Sequence, residues 1–217
     1  MKKLMSFLIL FAFTFSANAQ NDKYMSAMVP KVAAVDTTVS STGWLELGNS
    51  FERIAESEKT QWLPYYYAAL CNVMNGYMLS NAPAGGTAQS DQIADKAEVL
   101  LNKAEAMEKE NSDIYCIKKM IATLRMMVDP QTRYQTYGAT AAEALAKAKT
   151  LNPKNPRVYF LEGQDKFFTP EQFGGSKTEA KALFEESLIL YASGKPASPI
   201  DPQWGKRQVN YFLAQVK

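Results

Sequence analysis

Asn152-Pro153-Lys154-Asn155-Pro156-Arg157-Val158-Tyr159-Phe160-Leu161-Glu162-Gly163 is a joint between two helices. Upstream of it, Ala141, Leu145 and Ala148 recur at helical spacing and put a small-large-small face on one side. Downstream, an apolar run opens at Pro156 and sets Tyr159 and Gly163 one turn apart. Small residues let two helix backbones approach, and the large residue between them fills the groove. The spacing therefore predicts a closely packed helix on each side of the joint.

The same pattern occurs elsewhere in the chain. Leu47, Phe51 and Ile54 share a face, and Tyr65 follows eleven residues after Ile54. Ala97, Leu101 and Ala104 repeat it with Tyr115, and Ala141, Leu145 and Ala148 repeat it with Tyr159. Each block runs 18 residues from first anchor to tyrosine. Ala180, Phe184 and Ser187 copy the helical part a fourth time. Over Gly43 to Ala192 the chain resembles the tetratricopeptide repeat (TPR) family. In that likeness the small-large-small face belongs to helix B, Pro153 is the turn proline, the tyrosine opens the next helix A, and Gly163 is the close-packing position. The likeness is divergent: Lys59 and Lys109 replace the turn proline, and Lys118 and Glu162 stand where the family prefers leucine.

The period is longer than that of plain TPR. Leu47 to Ala97 is 50 residues, Ala97 to Ala141 is 44 and Ala141 to Ala180 is 39. The B-to-A joint is constant, so the extra length lies between helix A and helix B, near 80–90, 129–138 and 169–176. Insertions at equivalent places in a solenoid emerge on one side, so these predict a common edge.

The patterns predict helices over 43–57, 61–79, 91–109, 112–128, 138–151, 156–168, 177–191 and 202–216. A short helix near Tyr24–Val35, interrupted at Pro30, precedes them. Ser90 and Ser176 are expected N-caps, the latter with Glu179 in a capping box, and Gly194 suits the C-terminal cap position of the helix before it. The expected fold is all-α: a right-handed α-α superhelix of about three to four TPR-like helix pairs, with long A–B inserts and a C-terminal capping helix.

Lys2 and Lys3, the apolar run Leu4–Phe15 and Ala17-Asn18-Ala19 read as a cleavable signal peptide over 1–19. Residues 20–42 form an N-terminal segment, and 43–217 the TPR-like domain. Cleavage after Ala19 removes two of the 24 basic residues and none of the 22 acidic ones, leaving 22 of each. A neutral chain gives no electrostatic reason to expect nucleic acid or an anionic membrane as partner. The segment also predicts a periplasmic or secreted protein with no membrane span after cleavage.

The chain has no histidine, which removes the commonest general base and transition-metal ligand. Its two cysteines, Cys71 and Cys116, form no metal or redox motif. They sit at different helical phases, which favours buried free thiols over a disulfide. The sequence indicates no enzyme, no cofactor and no metal site.

The likeness to TPR proteins implies a concave groove lined by the A helices. The candidate binding residues are Tyr66 and Leu70, then Cys116 and Met120, then Arg157, Phe160, Gln164 and Phe167. Most are apolar, which suits an apolar or extended ligand. Equally, the inserts or the N-terminal segment can fold over the groove and make it core. In Trp62-Leu63-Pro64-Tyr65-Tyr66-Tyr67, packing is the main expectation, with Tyr66 or Tyr67 available to a ligand. Thr169-Pro170 and Phe173-Gly174-Gly175-Ser176 are similar to a loop of the periplasmic TPR subunits of tripartite transporters. The expected function is an exported scaffold that binds another envelope protein. The alternative is a periplasmic accessory of a transport system that binds a small or apolar molecule.

Overall fold

A computed structural model describes residues 21–80 and 87–216. The signal-peptide reading over 1–19, and the Asn81–Gly86 part of the first insert, lie outside the described residues. Among the described residues the ordered elements are helical and no strand occurs. None of the described helices is long and apolar enough to cross a membrane.

Helix α1 covers residues 21–35 and runs through Pro30 without a break. Its Tyr24, Met28, Val32 and Val35 recur at spacings of three and four and all enter the core. That continuous apolar stripe outweighs the single hydrogen bond a helical proline forfeits. Helix α2 (Ser41–Glu58) starts on the Ser40 hydroxyl, which accepts from the Gly43 amide, and ends in the left-handed turn at Lys59.

Helix α3 (Trp62–Ser80) is buried on nearly every side, as its continuous apolar composition requires. It packs between α2 and α4 (Thr87–Met107) and also touches α5 (Ser112–Val128). At the crossing with α5, a Cβ on Gly76 would stand 2.5 Å from Leu124, so the glycine is what admits the leucine. The N-terminus of α5 is held by Asn111, whose side chain accepts from the Asp113 and Ile114 amides.

After α5 comes a four-residue helix, α6 (Pro130–Arg133), and then a π-helical turn, Tyr134–Gly138. Helix α7 (Ala139–Leu151) follows and packs on α5. Helix α8 (Pro156–Phe168) has Asn155 as its cap and packs on α9 (Lys177–Ser193) through Gly163, whose Cβ would meet the Phe184 ring at 2.6 Å. The chain then crosses residues 194–205 as an irregular segment and ends in α10 (Lys206–Gln215), which lies on α9.

Several sequence expectations are corrected in detail. Helix α4 starts at Thr87, so Ser90 sits inside its first turn, with its hydroxyl 2.8 Å from that of Ser80. The region 129–138, expected as a loop, is helical because Asp129 caps it and Pro130 takes the first-turn position that needs no amide. The last helix begins at Lys206 rather than near 202, where Gly205 adopts a left-handed φ of 110°. Ser176 does cap α9, accepting from the Glu179 amide, whereas Gly194 ends it in extended rather than left-handed backbone.

Candidate functional site

The residues expected to line a groove are mostly packed by the chain itself. Tyr66, Leu70, Cys116, Met120, Arg157 and Phe160 are all buried, while Gln164 and Phe167 are half-buried. Of the two readings of these residues, the six buried ones follow the second and pack as core. Residues 194–216, which lie outside the inserts, supply contacts that cover this groove. Trp204 inserts and donates its indole N–H to the Tyr66 hydroxyl at 2.7 Å. The Tyr67 hydroxyl donates to the Ile200 carbonyl at 2.9 Å, and Arg157 donates to the Pro202 carbonyl at 2.8 Å. The Tyr191 hydroxyl reaches the Trp204 carbonyl. Phe212 of α10 stacks on Phe184 and meets Phe160 and Phe167.

Polar residues at the bottom of this groove satisfy each other. Arg157 pairs with Asp113, and the Asn155 amide donates to Ser112 at 2.9 Å and Asp113 at 2.8 Å. Burial pushes the Arg157 pKa down, but Asp113, with Tyr191 and Tyr66, more than offsets it, and the net direction is up. Desolvation raises the Tyr66 and Tyr67 phenols and both thiols. Cys71 and Cys116 are free and buried. Cys71 lies against α2, where a Cβ on Gly48 would stand 3.2 Å from it, and Cys116 faces the Asn155 amide at 3.9 Å. Fully paired groups closed off from solvent leave no vacancy for a ligand.

An open cleft of about 720 Å³ lies on another side, between α4 and α7 with α5 as its floor. That volume is in the range of small-molecule sites. On α5, Tyr115, Lys118, Ile121, Ala122 and Arg125 recur three and four apart and form one stripe. Leu101 and Asn102 of α4 and Thr140, Ala144 and Lys147 of α7 make the walls. Leu101, Ile121, Ala122 and Ala144 are buried and give an apolar bed. Tyr115 and Tyr137 are half-buried and also line the cleft.

Tyr137 reaches the cleft because of the π-helical turn. Such a turn inserts a residue into the helical run and re-aims the side chains after it. Arg133 fixes the turn. Its guanidinium donates to both Asp91 oxygens at 2.7 and 2.9 Å and to the Arg125 carbonyl at 3.1 Å, and lies 5.8 Å from the Tyr137 ring centre. The hydrogen bond from Arg133 holds the Asp91 carboxyl below the usual carboxylate range.

Charges of both signs line the cleft, with Glu143 and Lys147 on α7 and the pairs of Arg125 and Lys118 along the α4–α5 side. Arg125 meets Asp95 at 2.8 Å and Glu98 at 2.6 Å, and Lys118 meets Glu105 at 2.6 Å while lying 4.7 Å from the Tyr115 ring centre. The lining thus combines buried apolar side chains, two tyrosine rings and charges of both signs.

None of the sequence-predicted site residues lines this cleft. The TPR likeness directs attention to the concave side of α5, and Tyr115, Lys118 and Arg125 lie on another side of that helix. Their spacing was visible, and so was Tyr137 within the 129–138 insert. Nothing local revealed that the insert is helical and turns that ring toward α5.

No family profile matches the chain, and no curated protein matches it. Among solved structures, the HusA haemophore from Porphyromonas gingivalis superimposes with a TM-score of 0.78. It is 38% identical, and the match covers 89% of this chain and 92% of that one. With that identity over nearly the full length of both, the chain belongs to the family of HusA.

Proposed function

We propose that this protein is an exported carrier of a tetrapyrrole, haem or a related porphyrin, taken up in the α4–α5–α7 cleft. The observation that carries the reading is the likeness to a haemophore at 38% identity. The 720 Å³ cleft supports it by offering an apolar bed and two tyrosine rings to a flat macrocycle. The match supports small-molecule carriage over the scaffold role that the sequence first suggests. In this reading the helix pairs follow a divergent TPR-like superhelix, supported by the constant helix-B face and by the Gly163–Phe184 contact. The protein binds and performs no reaction.

The hold falls on the macrocycle rather than on its iron. The chain has no histidine, and both thiols are buried. No methionine lines the cleft either, so imidazole, thiolate and thioether ligands of haem iron are missing or out of reach there. Tyr115 and Tyr137 contribute ring faces to the macrocycle.

The test is absorbance titration of the mature protein with haemin and, separately, with metal-free protoporphyrin IX. Both are expected to bind, and Thr140→Trp is expected to abolish both, because Thr140 is an exposed position on the cleft wall and a large ring there fills the space. Absence of binding, or full binding by the Thr140→Trp variant, overturns the site. Binding of haemin alone overturns the claim that the macrocycle is what is held.

A further inference from the structure

We infer that the cleft selects ligands bearing carboxylates and that its own acidic residues compete for the cations that read them. The inference rests on the cleft being the tetrapyrrole site, and it names what edge chemistry the site recognises and what tunes it. It starts from the pairing of Arg125. The Arg125 side chain is 13% exposed, and one arm of its guanidinium meets Asp95 and the other Glu98, both residues of the cleft lining. Those carboxylates are 67% and 56% exposed, so they are wet groups on the α4 edge while the cation is mostly buried. Arg125 is also anchored from behind, because its carbonyl accepts from Arg133.

A guanidinium presents a planar fork that matches one carboxylate in two-point geometry. Arg125 here divides its fork between two separate carboxylates. A single ligand carboxylate that takes both arms replaces two monodentate contacts with one bidentate one, and the displaced acids turn to water at little cost because they are already exposed. Lys118 repeats the arrangement one part of the stripe away, held by Glu105 and resting by the Tyr115 ring. Lys118 and Arg125 stand two turns apart on α5 with Ile121 and Ala122 between them. Lys118 and Arg125 thus lie about 10 Å apart along one edge of the bed, where two carboxylates on one edge of a flat apolar body can meet them. The ligand class is a planar apolar body with carboxylates on its edge.

The acids then set the affinity. Asp95 and Glu98 repel an incoming carboxylate and occupy its partner, so neutralising them helps an acid ligand and does nothing for the same body without charge. Protoporphyrin IX and its dimethyl ester, added from the same dilute detergent stock, separate these terms. For an Asp95→Asn/Glu98→Gln variant, binding of the diacid is expected to tighten on the order of fivefold, the range set by exposed ion pairs. Binding of the diester should stay as in the wild type. Arg125→Gln should weaken the diacid and spare the diester, and 0.5 M salt should flatten the difference between the two. Circular dichroism confirms that each variant is folded. If the diacid binds the wild type and both charge variants equally, or if diacid and diester shift together, the inference fails while the cleft assignment stands. If Thr140→Trp leaves diacid binding intact, or no probe binds the wild type, the cleft assignment and the inference fall together.

Discussion

Gly163 shows how much one residue decides in this fold. Any Cβ there would stand 2.6 Å from the ring of Phe184, which is wholly buried and stacked on Phe212. The ring has no free side to move into, so Gly163→Ala is expected to cost about 1–3 kcal/mol, read as a lower urea midpoint with an unchanged slope. The cysteines make the opposite kind of case, residues that the fold shuts away. Burial raises both thiols, so neither forms appreciable thiolate at neutral pH. Ellman's reagent should find no reactive thiol in the native protein and both after denaturation; a thiol titrating in the native state would place that cysteine at the surface. Close packing at Gly163 and the divergent directions of the thiols were legible in the spacing. The role of Arg157 was not. In the sequence it is one charged residue on a groove face, and only the arrival of Pro202 and Trp204 from far along the chain makes it a buried tether.

At the scale of elements, two segments carry what local patterns could not supply. Residues 193–201 are rich in Pro and Ser and read as a loop, and 202–205 as the start of the last helix, yet 194–205 is one irregular segment that supplies Ile200 and Trp204 to the core. Trp204→Ala removes a buried ring and leaves the Tyr66 hydroxyl without its donor, at an expected cost of about 3–5 kcal/mol. The measurement is thermal or urea unfolding, and a change within experimental error would show that the groove closes without it. The second segment is the π-helical turn, held by Arg133 on Asp91. The depressed pKa of Asp91 gives a sign: the pair stabilises the turn above the unfolded aspartate value of about 3.9 and is lost as pH falls below it through the folded value. The Asp91 side chain is 41% exposed and its ion pair is screened by solvent, so global stability should barely change. Asp91→Asn at neutral pH should instead speed hydrogen exchange over 130–138, and the wild type should approach the same rates only in acid. Equal protection in both proteins at neutral pH would show that the turn stands without the pair.

At the scale of the molecule, the helical repeat was readable because helix-on-helix packing writes itself into spacing, and a constant 18-residue unit survives sequence divergence. The site was not readable, because it arises where α4, α5 and α7 leave a gap, and a gap has no signature in any one helix. This separation gives the last prediction. The cleft lies apart from the aromatic packing of α8, α9 and α10, so a ligand that fills it stabilises the whole chain by mass action without reordering the core. At a free concentration one hundred times its Kd, haemin should add about 2.7 kcal/mol. For a chain of this length that is a rise in Tm of roughly 5–10 °C. The Thr140→Trp variant should unfold near the ligand-free wild-type temperature and show no rise with haemin. A rise in both proteins would mean that haemin stabilises the fold from some other surface, and Phe168 and Tyr211, exposed rings that both pack on Phe212, would be the place to mutate next.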